Sequence, residues 1–137
     1  MGRIMVKLKL VNQSDLVAKK LKILRGKPRE LEVEALVDTG ATRLYLKSSV
    51  VKKLGLRKDG TTVSHTTNGR CRRTVYEPVR LELMGRHGNF DVVGIDDSVP
   101  NLMGQIPLEY LDFVADSKGQ KLTPNPEHHG QWMTEEY

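Results

Sequence analysis

A chain of 137 residues has room for one compact domain and not for two of ordinary size. A hydrophobic content of 38% with only 5% aromatics suits a small core of Val, Leu and Ile, and charged residues at 28%, interspersed throughout, exclude a disordered polar tract. The net charge of +5 raises nucleic acid as a partner, but Lys and Arg fall in short scattered groups such as Lys52-Lys53 and Arg72-Arg73, which argues for a solvated surface instead.

The one cysteine, Cys71, permits no intrachain disulfide. No apolar stretch has membrane-spanning length, and the opening MGRIMVKLKL alternates where a signal peptide would be continuously apolar. A reducing cytoplasm is therefore expected by elimination, with no membrane partner.

Ile4 to Val11 reads as a strand from its apolar-polar alternation. Asn12 to Arg29 lacks helical spacing; Ser14 could cap a short helix, but Gly26-Lys27-Pro28 breaks it, and a loop with a helical turn is expected. Leu31 to Val37 has period two and ends in the apolar triplet Ala35-Leu36-Val37, so it is expected to start half exposed and finish buried. It runs into Asp38-Thr39-Gly40-Ala41. A strand over Arg43–Leu46 follows, then a helix capped by Ser48 or Ser49, with Val50, Val51 and Leu54 on its apolar face and Gly55 at a left-handed C-cap.

Beyond Gly60 the pattern returns to β. Thr61–Thr67 and Arg70–Glu77 flank Asn68-Gly69, the strongest hairpin signal in the chain. Val79–Leu83 alternates, Gly85–Gly88 is expected to turn, and Phe90–Ile95 forms the next strand. Leu102-Met103-Gly104 leads into a short helix with Pro107 in its first turn, and a last hairpin turns at Ser117-Lys118-Gly119.

The chemistry concentrates at Asp38. A carboxylate at the end of an apolar strand, followed by a small hydroxyl residue, a glycine and an alanine, makes a tight platform that backbone or substrate can approach closely. One such carboxylate cannot hydrolyse a peptide alone. Water needs a base and the carbonyl oxygen or leaving nitrogen needs an acid. Two adjacent carboxylates supply both by sharing a proton, and a symmetric dimer supplies the second from the same residue of another copy.

Ala35-Leu36-Val37-Asp38-Thr39-Gly40-Ala41 resembles the active-site motif of retropepsin-like (retroviral-type, clan AA) aspartic proteases, and Leu102-Met103-Gly104 before a helix is similar to the family's second signature. The similarity runs from about Met5 to Pro124. A second Asp-Thr/Ser-Gly is absent, so the two-motif pepsin arrangement is excluded. The resemblance implies that Asp38 is the catalytic acid/base, paired with the partner's Asp38, and that Thr39 grips the partner's motif loop. It implies that Gly40 and Ala41 floor the site, that Thr66, Thr67, Asn68 and Gly69 form a flap tip over the peptide, and that Leu102, Met103 and Gly104 pack around the catalytic loop. Gln105 stands where viral members usually carry Arg, which makes the chain look more like the solitary bacterial members and leaves the viral dimer contacts, made by chain termini, out of the expectation.

Plainer readings exist for each feature. Asp38 could simply cap its own turn. Cys71 and His65 could meet across the hairpin, but no oxyanion hole or orienting group accompanies them. His128-His129 lacks the spacing of a metal site, and Asp96-Asp97 reads as loop charge.

The expectation is a mainly β, closed or nearly closed antiparallel barrel of the acid-protease type with two short helices. It comprises a protease domain over 1–124 and a mobile tail over 125–137, acting as a C2 homodimer on peptide or protein substrates without metal or cofactor. The alternatives are a non-catalytic dimeric peptide-binding module on the same fold and a basic nucleic-acid-binding β domain.

Overall fold

Val6, Leu8 and Leu10 turn inward while Met5, Lys7 and Lys9 face solvent, so the first strand obeys its sequence alternation. The computed structural model describes residues 3–134 and residue 136. In chain order it begins with β1 (Met5–Asn12), α1 (Gln13–Lys20), β2 (Glu30–Val37), β3 (Leu44–Lys47), α2 (Ser48–Leu54) and β4 (Lys58–Thr66). There follow β5 (Gly69–Leu83), β6 (Arg86–Ile95), β7 (Asn101–Met103), α3 (Gln105–Leu111), β8 (Phe113–Asp116) and β9 (Lys121–Pro124).

Six strands close into a barrel in the order β1-β2-β7-β3-β6-β5 and back to β1, while β4 hangs outside on β5. Closure removes the free edges that an open sheet would expose. The barrel is mixed, and here the antiparallel expectation fails: β2–β7 and β3–β6 are parallel. Both pairings join strands far apart in sequence, which local alternation cannot report. Leu8, Leu10, Leu44, Leu46, Leu81 and Val92 fill the interior at 1% exposure or less. Each such side chain contributes about 1.5–3 kcal/mol by leaving water.

Among the described residues the α-helices number three rather than two. α1 replaces the expected loop, and its cap is Asn12, whose Oδ1 accepts from the Asp15 N–H at 3.0 Å while its Nδ2 donates to the Leu54 carbonyl at 2.8 Å. Ser14 instead donates to Glu77. Asp15 then pins the long α1–β2 connection by accepting from the Arg29 backbone and guanidinium at 2.8–3.0 Å. α2 ends as expected at Gly55 (φ 65°), with the Leu56 N–H returning to the Val51 carbonyl. Its start differs from expectation: no serine hydroxyl caps it, and the Asp97 carboxylate accepts from the Ser49 N–H at 2.9 Å instead.

The two long hairpins turn elsewhere than the sequence suggested. Met84 (φ 49°) and Gly85 (φ 78°) make the β5–β6 turn, and Arg86–Gly88 are already strand, paired with Leu81–Leu83. In the β4–β5 hairpin the connecting residues are Thr67 and Asn68, with Thr66 paired to Gly69. Asn68 keeps a negative φ and Gly69 takes +102°, so the primed turn that Asn-Gly favours is absent and the glycine absorbs the strain one position later.

Arg86 is 7% exposed and donates to the carbonyls of Leu111 (2.7 Å), Asp112 (2.9 Å) and Gly130 (3.1 Å), with its guanidinium over the Phe113 ring. Around it the C-terminal segment meets α3. Trp132 donates to the Tyr110 carbonyl at 2.9 Å, and His128 Nδ1 lies 2.5 Å from Asp112 Oδ2. Burial works to raise the Asp112 pKa, but His128, the Met133 N–H and Asn125 outweigh it and hold the carboxyl below its ordinary value.

Candidate active site

Two strands flank β2 and fix where it ends. The Val37 N–H donates to the Ile4 carbonyl at 2.8 Å, and the Asp38 N–H to the Met103 carbonyl at 3.0 Å. Asp38 then begins a turn that it closes itself, its Oδ1 accepting from the Gly40 N–H at 3.0 Å and its carbonyl from the Ala41 N–H at 3.1 Å. The exposed Thr39 takes no part in that closure. Of the apolar triplet before Asp38, only Ala35 is fully buried; Leu36, Val37 and Asp38 are half-buried.

The second signature grips the loop from behind. β7 lies parallel to β2, with Leu36 opposite Leu102 and Val37 opposite Met103, and antiparallel to β3. At the start of α3 the N–H groups of Gly104, Gln105 and Ile106 donate to the carbonyls of Arg43, Ala41 and Thr42 at 2.8–2.9 Å. Helix-terminal donors that lack an intrahelical partner are thus satisfied by the motif loop. A Cβ on Gly104 would sit 2.4 Å from the Arg43 carbonyl oxygen, so the two segments meet only because this residue is glycine. Behind them Asn101, 5% exposed, accepts from the Lys47 N–H at 2.8 Å and donates to the Glu34 carbonyl at 2.9 Å, tying β3 to β2.

The β4–β5 hairpin bends over this platform. β5 breaks register between Tyr76 and Val79, around Pro78, so its first half leaves the barrel while its second half stays in the wall. Beneath the hairpin lies a cleft of about 840 Å³. Asp38, Gly40 and Ala41 line it, with Thr66, Thr67 and Leu102. The other singled-out residues lie outside its lining: Thr39 at the rim of the turn, Asn68 and Gly69 at the hairpin tip, Met103 and Gly104 behind the loop. Asp38 is the only carboxylate lining the cleft among the described residues.

Residues that the motifs did not flag also reach it, chiefly Arg43, Tyr45 and Arg73. Arg43 and Tyr45 could have been suspected from their nearness to the motif in sequence; Arg73 carried no signal, since its place depends on hairpin register. That register also separates Cys71 from His65: Ser64 faces Cys71 and Arg70 faces His65, which puts thiol and imidazole on opposite faces. His128 is engaged by Asp112, and neither lines the cleft. A smaller hollow of about 260 Å³ between β1, β5 and the β5–β6 turn is lined by Lys9, Arg80 and Glu82, which form ion pairs, Lys9 with Glu30 and Arg80 with Glu82.

Comparison with known proteins agrees with this geometry. The fold is similar to that of the EIAV protease complexed with the inhibitor HBY-793, with a TM-score of 0.59 and 18% identity over 79% of this chain and 86% of that one. A search among curated proteins found no match. Residues 21–106 match the family model described as "Aspartyl protease". That span is more than half of the chain and holds both the Asp38 turn and the Gly104 segment that braces it, and on this ground the chain belongs to the aspartyl protease family.

Proposed function

We propose that the chain is an aspartic endopeptidase that works as a homodimer, with Asp38 and the partner's Asp38 forming one catalytic pair. The observation that carries this reading is the Asp38 carboxylate at the floor of a covered cleft, in a sequence with a single Asp-Thr-Gly. Neighbouring carboxylates resist ionising together, so at working pH the pair holds one proton. The ionised member accepts a proton from a water molecule, whose oxygen attacks the peptide carbonyl carbon. The protonated member donates to the carbonyl oxygen. Collapse of the tetrahedral species returns a proton to the leaving nitrogen and breaks the C–N bond.

Each protomer brings its own support to this chemistry. The Gly40 N–H on Oδ1 orients the carboxylate, and the second signature holds the loop rigid from behind. Thr39, exposed at the rim, is free to bond the partner's loop. Thr66, Thr67, Asn68 and Gly69 form the flap tip, and residues 1–124 form the catalytic unit. No described helix is long and apolar enough to cross a membrane, and the lone Cys71 supports a reducing, cytoplasmic setting.

The test is cleavage of a peptide library read by mass spectrometry. Wild-type protein is expected to cut it and Asp38→Asn to leave it intact while keeping the wild-type circular dichroism spectrum. Undiminished cleavage by Asp38→Asn would refute the assignment, and a wild-type protein that binds peptides without cutting them would favour a non-catalytic binding module.

A further inference from the structure

The cleft carries more positive charge than a peptide backbone requires. Arg43 lies on the loop that follows the motif, its main chain fixed by the Gly104 N–H on its carbonyl at 2.9 Å. Arg73 comes from the opposite wall, on β5, in register with Thr62 of β4. Both side chains are half-buried and both line the cleft, where the only carboxylate among the described residues is Asp38.

Half-burial without an ion pair sets these two arginines apart, since Arg3, Arg25, Arg70 and Arg72, which also lack one among the described residues, are exposed. Arg29 is bonded to Asp15, Arg57 to Glu77 and Arg80 to Glu82, while Arg86 donates to three carbonyls. Among the described residues neither Arg43 nor Arg73 has an ion-pair partner. The nearest claim on Arg73 comes from Asp96, whose pKa is lowered first by Ser98 and only lastly by Arg73. A half-buried guanidinium has lost part of its hydration and gains most from a carboxylate that it can meet with two parallel hydrogen bonds.

From this arrangement we infer that the enzyme selects peptides with Asp or Glu on both sides of the scissile bond, the acidic side chains being received by Arg43 and Arg73. The inference rests on the protease reading for the word scissile, and on two-fold symmetry for its two-sidedness, since a C2 dimer repeats both arginines across the axis. Peptides rich in Lys or Arg would meet like charge at both walls. Because the selected side chains must be ionised, the preference should fade once pH drops below about 4, the ordinary range of Asp and Glu.

Two arms test this, the second separately from catalysis. A random octapeptide library is incubated with wild-type protein and its cleavage products are sequenced. The same library is passed over immobilised Asp38→Asn protein and the retained peptides are sequenced. Both sets are expected to be enriched in Asp and Glu over Lys and Arg by about tenfold, the equivalent of about 1.4 kcal/mol. The enrichment should collapse towards unity in the Arg43→Gln/Arg73→Gln protein, persist in Arg43→Lys/Arg73→Lys, and shrink in wild-type protein as salt is raised from about 0.05 to 0.5 M. Neutral or basic enrichment, or acidic enrichment that survives the Gln double variant, overturns the inference. Acid-selective retention without any cleavage by wild type supports the selectivity and counts against the protease reading.

Discussion

The backbone N–H of Asp38 donates to the carbonyl oxygen of Met103 at 3.0 Å. Through this one bond the carboxylate proposed to carry the chemistry starts its turn from the Leu102-Met103-Gly104 segment, and the two motifs become one object. Gly104 extends the contact by passing beneath the carbonyls of residues 41–43 with no room for a side chain.

Gly104→Ala should therefore be costly. The added Cβ would meet backbone atoms at 2.4 and 2.8 Å, and backbone cannot swing aside as a flexible side chain can. A loss of about 1–3 kcal/mol in unfolding free energy is expected, read as a lower urea midpoint, together with reduced turnover because the Asp38 loop is displaced. An unchanged midpoint would show that the loop and α3 are not in firm contact.

Asp15 and Arg29 govern a pH dependence. Hydrogen bonding from Arg29, acting against burial, lowers the Asp15 pKa from its usual 3.8. A depressed native pKa contributes stability that is complete above the unfolded value and disappears as pH falls through the native one. Asp15→Asn should thus destabilise by about 1–2 kcal/mol at pH 7, toward the low side because the Arg29 side chain is half exposed. The gap between the two proteins should close on acidification below pH 3.8. Thermal melts of both proteins across pH 2–7, a range chosen around the usual carboxylate pKa, check it; a gap that widens in acid contradicts the sign.

Arg86→Met keeps most of the side-chain volume and removes the charge. The carbonyl oxygens of Leu111 and Gly130 lose this donor, and that of Asp112 keeps only the Asn125 N–H. A loss of about 1–3 kcal/mol is expected from the lost charged hydrogen bonds and the buried Leu111 acceptor left without this donor, and proteolysis should then cut first in the segment around Gly130. Wild-type stability in this variant would mean that the C-terminal segment is held without help from Arg86.

Much of the architecture was legible because it is written in local pattern. β1 and β2 alternate, Gly55 ends α2 where a left-handed residue was needed, and Leu102-Met103-Gly104 announces α3. What stayed hidden depends on distant partners. α1 has a weak apolar face, with Val17 at 44% exposure, and owes its place to Asn12 bonding Leu54 and Asp15 bonding Arg29. Arg86 reads as turn charge until β5 and β6 are paired, and only then is it seen to face the end of α3. The same is true of the site. Asp38 and its loop could be named from sequence, whereas Arg73 reaches the cleft only because a two-residue turn at Thr67-Asn68 sets it opposite Thr62.

The central claim is that two copies of Asp38 make one active site, and subunit mixing tests it most directly. Wild-type protein at fixed concentration is equilibrated with a ninefold excess of Asp38→Asn protein and peptide cleavage is measured. Random pairing leaves about one tenth of wild-type protomers with a wild-type partner, so cleavage per wild-type protomer should fall about tenfold. Cleavage that stays constant per wild-type protomer would contradict the account, because each chain would then carry a complete site of its own.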